Sequence, residues 1–264
     1  MCPPLSREAI TAHLATNWLA RELHCFAVLD STNITARAMA ASGAPDGTAV
    51  VADAQRRGRG RLGRAWVSPA GKNLYASIVL RCDVPPERLG QVSLLAGVAV
   101  CATVRRWRVA AEIKWPNDVL IGGRKVAGIL AELEGACAPR AVVLGIGANL
   151  NSEPGDFPDD LRDKATSLAS ATGTPIERAR FAGVLFTELE RRYDAWRRDG
   201  FAPVATAWRG LTTLIGRHIH VAEPGGSVQG TVIDLDDDGA LRLRLADGAE
   251  YRVLAGDVTV VGGY

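Results

Sequence analysis

The stretch Gln55–Asn73 reads QRRGRGRLGRAWVSPAGKN and concentrates the positive charge of the chain. Between Asp53 and Asp83 there are seven Lys or Arg residues and no acidic residue, although the whole chain has a net charge of only +2. Glycine lets backbone N–H groups approach a ligand closely, and arginine offers a fixed fork of donors to phosphate or carboxylate oxygens. We therefore predict that this loop, here called the clamp, closes over a phosphorylated ligand.

Two other interpretations of the clamp compete with this one. Gly58, Gly60 and Gly63 match the dinucleotide-binding spelling G-x-G-x-x-G, which functions between a strand and a helix. A strand does precede them at Thr48–Asp53, but Trp66–Leu80 has the pattern of a turn followed by a strand, which disfavours that site. An exposed basic loop that contacts nucleic acid stays open as an alternative.

Composition sets limits on the class of protein. The chain of 264 residues is 47% hydrophobic and 23% charged, which is typical of a globular protein with one large domain, or one plus a small one. Its five cysteines include no C-x-x-C pair, which favours a reducing, cytoplasmic location over disulfides or zinc. The N-terminus lacks an apolar signal core, and no run reaches the roughly 18 apolar residues that span a membrane. We expect no membrane partner.

Upstream of the clamp, Ser6–Leu23 is predicted to be a helix with Ser6 as its N-cap. A strand at Phe26–Leu29 leads into Asp30-Ser31-Thr32-Asn33, which opens an Ala-rich helix. This tetrapeptide is either a simple N-cap cluster or a small polar binding site at the helix N-terminus. The segment before the first strand is too short for a helix-turn-helix, so no sequence-specific DNA partner is expected.

Downstream, Pro85–Trp107 is predicted to be an apolar core helix, and KWPND follows at Lys114–Asp118 between two short strands. Pro116 cannot donate to a strand ladder, so it marks an edge or a bend, and taken alone the motif could be a simple turn. Gly122-Gly123 predicts a hairpin turn that leads into the strand Arg124–Leu130.

Lys125 lies in that strand, and strict alternation puts it on the same face as Ala127 and Ile129. A lysine on such a face is either an edge gatekeeper or a ligand contact. The next strand, Ala141–Leu150, is predicted to be buried, with Gly145 and Gly147 allowing close approach to its backbone.

In the last third of the chain, the sequence pattern changes from that of a long helix to that of short strands. A long amphipathic helix is predicted from Pro175 to Arg198. From Leu214 onward, short β-runs separated by Gly-rich turns predict a small β-barrel. Four such runs are predicted, at Ile219–Ala222, Gly230–Leu235, Leu241–Leu245 and Glu250–Leu254. His218 and His220 share a strand face there, but no further metal-ligand residue accompanies them, so we predict no metal site.

Taken in order, these motifs resemble those of the biotin–protein ligases. The matching run is strand–DSTN, Q-x-x-G-R-G-R-x-G-R-x-W, KWPND, GRKVAGIL and GIGAN, between Phe26 and Asn151, and the β-barrel end is similar to the family's C-terminal domain. The chain resembles the short, ligase-only form, which has no N-terminal winged helix. Two small departures, Ala148 within GIGAN and the double arginine at 56–57, remove no matched group.

The resemblance implies both a fold and a reaction. The fold is α+β: a mixed β-sheet flanked by helices, related to class II aminoacyl-tRNA synthetases, in residues 1–213, and a C-terminal SH3-like β-barrel in residues 214–264. The reaction joins biotin and MgATP into biotinyl-AMP and pyrophosphate. The biotinyl group then passes to a lysine of the biotin carboxyl carrier domain of a biotin-dependent carboxylase.

The resemblance also implies the site residues. The biotin head group is a neutral ureido ring that needs donors and acceptors without charge, whereas the phosphates and the attacking carboxylate need positive charge. Biotin contacts are implied for Ser31, Thr32, Asn33, Gln55, Arg59, Gly60, Arg61 and Lys125. ATP contacts are implied for Arg59, Arg61, Arg64, Trp66 and Asn149. Catalytic roles are implied for Arg59, Lys114, Asp118 and Lys125.

Mg²⁺ is expected to arrive with the nucleotide, and no covalent enzyme intermediate is expected. A lipoate or octanoate ligase of the same superfamily would show an Arg-Gly-Gly-Gly signature, which is not found. A nucleic-acid-binding protein that uses the basic loop remains the alternative from another class. The sequence leaves a homodimer open.

Overall fold

The larger of two β-sheets runs through the middle of the protein. The computed structural model describes residues 4–82, 84–135, 141–223 and 225–263. The strands of this sheet are β1 (Leu23–Leu29), β2 (Ala49–Gln55), β3 (Leu74–Leu80), β4 (Ala111–Lys114), β5 (Asp118–Ile121), β6 (Arg124–Glu134) and β7 (Ala141–Ala148). Their order is β1-β2-β3-β7-β6-β5-β4, and only β1 and β2 pair in parallel. The predicted mixed sheet is therefore confirmed.

Helices cover both faces of this sheet. They are α1 (Arg7–Thr11), α2 (Thr32–Ala41), α3 (Leu89–Arg105), α4 (Leu168–Thr172), α5 (Arg178–Asp199) and α6 (Ala202–Arg209). The Ala-rich α2 packs on β3 and β7 from one side, and α3 packs on β4 and β6 from the other, with α5 and α6 behind it. Because β3 and β7 are covered on both faces, nearly all their residues are buried and apolar.

The first helix is much shorter than the predicted Ser6–Leu23. Ser6 is its N-cap as predicted and accepts a hydrogen bond from the backbone N–H of Ala9 at 3.2 Å, but the helix ends at Thr11. The backbone N–H groups of residues 17–19 donate instead to the buried Glu190 carboxylate of α5, at 2.7–2.9 Å. A partner distant in sequence thus replaces the intrahelical hydrogen bonds.

The α3 region also has the length and composition of a membrane-spanning helix. Within the described part of the chain, Pro86–Arg105 is the single helix of that kind, and 67% of its apolar window is buried in the protein. It packs between the sheet and α5, so it is the core helix that the sequence predicted.

The C-terminal segment forms a second, five-stranded antiparallel sheet of the SH3-like type. Its strands are β8 (His218–Glu223), β9 (Gly226–Leu235), β10 (Leu241–Arg244), β11 (Glu250–Val253) and β12 (Asp257–Val260), in the order β11-β10-β9-β8-β12. The predicted barrel does not close, because β11 and β12 are the two edges of the sheet. The sequence predicted four of these strands and missed the short β12.

The two sheets share one hydrophobic core. A single cluster of buried residues contains Leu144 and Ile113 of the large sheet together with Val221 and Leu241 of the small one. The Trp115 indole N–H also donates to the Gly239 carbonyl at 3.1 Å across the boundary. The small sheet is therefore packed against the part of the protein built on the large sheet and is not merely tethered beside it.

Candidate active site

A cleft of about 510 Å³ opens at the ends of β1 and β2, over the middle of the large sheet. Its walls come from the clamp, the N-terminus of α2, strands β5–β7, residues 157–165 and the β12 edge of the small sheet. All of the site residues that the sequence suggested line this one cleft: Ser31, Thr32, Asn33, Gln55, Arg59, Gly60, Arg61, Arg64, Trp66, Lys114, Asp118, Lys125 and Asn149.

One end of the cleft is polar and uncharged. Ser31, Thr32 and Asn33 are buried at the start of α2, and the Ser31 side chain does not cap the helix. The Gln55 carbonyl oxygen at the end of β2 accepts hydrogen bonds from the Thr32 backbone N–H at 2.8 Å and from its hydroxyl at 3.2 Å. The Gln55 amide nitrogen donates to the Ser68 hydroxyl at 2.9 Å. These groups are thus pre-oriented before a ligand enters.

Two residues that sequence reasoning missed hold Asn33 in place. Ser77, fully buried in β3, donates to the Asn33 carbonyl oxygen at 2.6 Å, and the Asn33 amide donates to Glu132 at 2.9 Å. Gly145 supplies the room, because a Cβ there would lie 2.1 Å from Asn33 Oδ1. Only a signal that linked strands distant in sequence could have revealed these partners.

The clamp folds as a tight hairpin across the cleft. Arg59 pairs with Ala65 in an isolated antiparallel bridge, and the Trp66 backbone N–H donates to the Gly58 carbonyl at 2.9 Å. A side chain at Gly58 would lie 2.3 Å from the Trp66 carbonyl, so this crossing requires glycine. The clamp is a loop between strands, as predicted, and it does not open a helix as a dinucleotide-binding turn would.

Each clamp arginine in the cleft reaches a polar group of another element. Arg59 lies 3.2 Å from Glu132 of β6, and Arg61 donates to the Asn117 side-chain oxygen at 3.1 Å. Arg64 forms a short ion pair with Asp257 of β12. Burial lowers the pKa of the Arg61 guanidinium, and the nearby Asp257 carboxylate partly offsets that effect. The clamp therefore brings partly desolvated positive charge into the cleft.

The two ends of the clamp are joined by Arg178 of α5. This residue is 2% exposed, and its guanidinium donates to Asp53 at 2.6 Å and to the Asn73 carbonyl at 3.4 Å. Asp53 precedes the clamp and Asn73 ends it, so one buried cation fixes the spacing of its base. No sequence motif indicated this contact.

Lys125 reaches the cleft because of a β-bulge. Val119 of β5 pairs with Ala127, yet the next residue pairs with Lys125, so Val126 is an extra residue in β6. Ala127 is buried in the core, whereas a Cβ at Gly128 would lie 3.0 Å from Lys125 Cε. The prediction that Lys125 shares a face with Ala127 and Ile129 was wrong, because the bulge turns it to the opposite face.

The Trp66 ring packs against two glycines that pair across neighbouring strands. Gly128 and Gly147 are paired between β6 and β7, and a Cβ at either position would lie within 3 Å of the indole. The Lys125 ammonium lies 5.3 Å from the ring centroid, within the range of a cation–π contact. The predicted close approach to Gly145 and Gly147 is confirmed, by Asn33 and by Trp66.

Lys114 and Asp118 face each other across the β4–β5 hairpin. Asp118 lies 2.6 Å from the Lys125 ammonium. Burial lowers the pKa of Lys114, and the neighbouring Asp118 carboxylate only partly offsets this effect. The hairpin turn holds Pro116 next to the edge strand β4, as its missing donor predicted.

The remaining wall of the cleft comes from the segment after β7 and from residues 157–165. Asn149 is buried after β7 and donates to the Thr166 carbonyl at 3.1 Å. Phe157 and Leu161 complete this wall and were not predicted. In the parts of the chain that the structure describes, no group of three or more His, Cys, Asp or Glu side chains could hold a metal ion.

Comparison with known proteins assigns the family. The model of the biotin/lipoate A/B protein ligase family matches residues 25–149, and that of the biotin protein ligase C-terminal domain matches residues 214–261. A biotin–[acetyl-CoA-carboxylase] ligase of Mycobacterium tuberculosis is 39% identical over 97% of this chain and 96% of its own length. The bifunctional ligase/repressor BirA of Bacillus subtilis is 38% identical over 96% of this chain and 78% of its own length.

A solved structure supports the same assignment. Biotin protein ligase from Aquifex aeolicus, in complex with biotin and ATP, superimposes with a TM-score of 0.79 and 26% identity, covering 91% of this chain and 99% of that one. The chain belongs to the biotin/lipoate A/B protein ligase family, and its small sheet is that family's biotin protein ligase C-terminal domain.

Proposed function

We propose that this protein is an ATP-dependent biotin–protein ligase. It activates biotin with MgATP to biotinyl-AMP and pyrophosphate, then transfers the biotinyl group to a lysine of a biotin carboxyl carrier domain. One observation carries this function: a single cleft joins an uncharged, hydrogen-bonding end to a wall of arginines and Lys125. Such a cleft suits a ligand whose head is neutral and whose tail is anionic.

The uncharged end would bind the ureido ring of biotin. Ser31, Thr32 and Asn33 offer hydroxyl, amide and helix N-terminal N–H groups, and Gln55 lies beside them at the end of β2. Because Ser77 and Glu132 fix the Asn33 amide, the amide keeps one orientation. Pre-orientation lowers the entropy that binding costs.

The positive wall would hold the reacting anions. Arg59, Gly60 and Arg61 would contact the biotin carboxylate and the α-phosphate, Arg64 would reach the outer phosphates, and Lys125 would contact carboxylate and then phosphate. A carboxylate attacks a phosphate only if the charge that builds up between them is neutralised, and fixed cations in a shielded cleft do this effectively. Mg²⁺ would enter with the ATP phosphates.

The adenylate would lie between the clamp and the second wall. Trp66 would flank the adenine side and Asn149 the adenine or ribose. Lys114 and Asp118 would flank the position where the carrier lysine attacks the acyl carbon. Attack by that amine on biotinyl-AMP forms an amide and releases AMP, so no enzyme-bound acyl group is needed.

An assay with labelled biotin, ATP and a purified biotin carboxyl carrier domain tests this function directly. We expect ATP-dependent label on the carrier and release of pyrophosphate. A carrier whose target lysine is replaced by arginine should stay unlabelled, and a parallel reaction with lipoate should give no product. Label from lipoate but not from biotin would refute the assignment.

The proposed domain division is residues 1–213 for catalysis and residues 214–264 for the SH3-like domain, supported by the match of the C-terminal model to residues 214–261. Proteolysis between the two halves followed by mass spectrometry would locate the boundary. A homodimer remains a proposal that sedimentation at several concentrations would decide.

We also propose that the protein does not recognise a DNA sequence and that it acts in the cytoplasm. The near-neutral net charge and the turning of Arg59, Arg61 and Arg64 into the cleft support the first point. A sequence-specific mobility shift at physiological salt would refute it. Cys25 and Cys101 are free thiols, which supports a reducing compartment, whereas Cys2 and Cys137 lie outside the described residues. Cell fractionation would test the location.

A further inference from the structure

One carboxylate joins the uncharged end of the cleft to the clamp. Through one oxygen, Glu132 of β6 accepts a hydrogen bond from the Asn33 amide at 2.9 Å, and its other oxygen lies 3.2 Å from the Arg59 guanidinium. Asn33 belongs to the first turn of α2 and Arg59 to the clamp, and both line the cleft. Three elements that are distant in sequence therefore meet at the Glu132 side chain, which is 20% exposed.

Glu132 also determines which way the Asn33 amide points. Ser77 donates to the Asn33 carbonyl oxygen at 2.6 Å, but a hydroxyl can either donate or accept, so it does not fix the orientation by itself. A carboxylate can only accept, so the amide nitrogen must face Glu132. The same nitrogen also donates to the Leu130 carbonyl at the longer distance of 3.4 Å. Asn33 and the Glu132 carboxylate thus hold each other in one arrangement.

The strand beneath Glu132 is well anchored, whereas the clamp is not. β6 pairs with β7 along Ala127–Glu134, so the position of the carboxylate is set by the middle of the large sheet. The Arg59 side chain is 40% exposed and lies in a loop. A guanidinium has five N–H donors in a fixed fork, so contact with Glu132 through one terminal nitrogen leaves other donors for an anion in the cleft.

A second carboxylate on the same strand shows what is particular about Glu132. Glu134 lies two residues further along β6, on the same face, and its side chain is similarly buried at 23% exposed. Its cation is Arg37 at 2.5 Å, and this guanidinium is 4.0 Å from Glu132. Arg59 is therefore the nearer cation of Glu132. Of the two carboxylates, Glu132 is the one that contacts residues of the cleft.

We propose that Glu132 is a positioning residue that couples the two ends of the cleft, an inference that rests on the proposed function. A head group bound at Asn33 restrains the amide, and the amide restrains the carboxylate. The carboxylate in turn holds Arg59 where the reacting carboxylate and the α-phosphate meet. The clamp then loses less freedom when the nucleotide binds, which lowers the entropy cost of that step. By linkage, the nucleotide strengthens binding of the head group by the same factor.

Calorimetry measures this coupling as the ratio of two dissociation constants for biotin. One is measured with biotin alone, and the other with Mg²⁺ and a saturating ATP analogue that has a methylene group between its α- and β-phosphorus atoms and cannot form biotinyl-AMP. We expect the wild-type chain to bind biotin at least about fivefold more tightly with the analogue.

Glu132→Gln should abolish most of this gain, because it removes the charge that holds Arg59. Its affinity for biotin alone should fall by less than about tenfold, since the new amide oxygen still accepts a hydrogen bond from Asn33. A merely structural role would weaken biotin binding and lower the melting temperature while leaving the ratio unchanged. A wild-type ratio in a folded Glu132→Gln protein therefore overturns the inference.

Glu134→Gln is the matched control and should keep the wild-type ratio. Glu132→Asp keeps the charge, but its shorter side chain cannot reach both partners, so its ratio should lie between those of wild type and Glu132→Gln. If Glu132→Gln does not fold, a wild-type ratio in Glu132→Asp overturns the inference. An equal loss of the ratio in Glu134→Gln, or a ratio of one in the wild-type chain, does the same and leaves the proposed function standing. Failure of the wild-type chain to bind biotin at all would instead refute the proposed function.

Discussion

Lys125 contacts the cleft only because β6 contains one residue more than β5 at this point. Its ammonium pairs with Asp118 at 2.6 Å and lies over the Trp66 ring. A ligand carboxylate or phosphate that reaches the same ammonium makes a charge-assisted hydrogen bond, which is stronger than a neutral one.

Lys125→Ala should therefore slow biotinyl-AMP synthesis. Loss of such a contact costs about 1.5–3 kcal/mol, which corresponds to roughly a tenfold to hundredfold decrease in rate. Pyrophosphate release measures the effect, and circular dichroism checks the fold. The neighbouring Arg124→Ala, at an exposed position, is the control and should stay close to wild type. Normal adenylation by a folded Lys125→Ala protein would remove Lys125 from the site.

Arg178→Met should destabilise the protein. The Arg178 side chain is 1% exposed and the Asp53 side chain 18%, so removing the cation leaves a poorly solvated carboxylate. Breaking a buried pair in this way costs about 3–5 kcal/mol. Urea unfolding measures the change, and the double variant Arg178→Met/Asp53→Leu should recover much of it. A double variant no more stable than the single one would show that packing of Arg178, and not its charge, matters.

Sequence motifs located the residues that line the cleft, because these residues lie within short contiguous stretches of the chain. It did not locate Ser77, Glu132 or Arg178, which hold those residues from behind and lie far away along the chain. Strict side-chain alternation along β6 also placed Lys125 on the wrong face of the sheet, because a β-bulge has no distinct local sequence motif. Residues that support a site are determined by strand register, which one sequence specifies only indirectly.

At the scale of elements, the clamp is anchored at its base and exposed along its length. Arg178 joins its two ends, while the side chains of Arg56 and Arg57 are 70% and 81% exposed. Loops with few buried contacts open at low free-energy cost, and ligands that bind the closed form suppress this opening.

Trypsin should cut between Arg56 and Arg64 quickly in the free protein and slowly with biotin and ATP. Ligand phosphates would add contacts to the same arginines that trypsin recognises, so protection follows directly. Cleavage after Arg191 in the middle of α5 serves as the control and should be slow in both states. Equal cleavage of the clamp with and without ligands would contradict closure.

Most helices and strands were predictable from hydrophobic periodicity and from turn signals such as Gly and Pro. The helix at the N-terminus was not, because Glu190 of α5 takes the backbone donors that would have extended it. Strand β12 was missed because it has only four residues and no turn signal of its own. In both cases a tertiary contact, and not local propensity, determined the secondary structure.

At the scale of the whole molecule, the small sheet is part of the catalytic structure. Its β12 edge lines the cleft through Asp257 and Thr259, and the Gln91 amide of α3 donates to the Asp237 carbonyl at 2.6 Å. One hydrophobic core extends through both sheets. Removal of the small sheet exposes part of that core.

A chain truncated after Thr213 should keep most of its secondary structure and some biotin binding, but melt at a lower temperature. It should lose ATP affinity and carrier biotinylation together, because the nucleotide end of the cleft loses its β12 wall. Calorimetry with biotin and a steady-state assay that varies ATP and carrier measure these effects. Tyr251→Ala, at an exposed position on β11, is the control. Full ligase activity with unchanged ATP dependence in a soluble truncation would show that the sheet is dispensable.

Other elements of the protein supply carboxylate partners to four arginines of the clamp. Arg56 and Arg57 face Asp30, Arg59 faces Glu132 and Arg64 faces Asp257, so each of these four arginines already has a carboxylate nearby. ATP binding is consequently an ion exchange, in which nucleotide oxygens displace carboxylates of the protein. Ionic strength should then affect nucleotide affinity less than the number of arginines suggests, since both the initial and the final pairs are screened. Asp257→Asn should steepen that salt dependence in an ATP titration, and an unchanged slope would exclude the exchange.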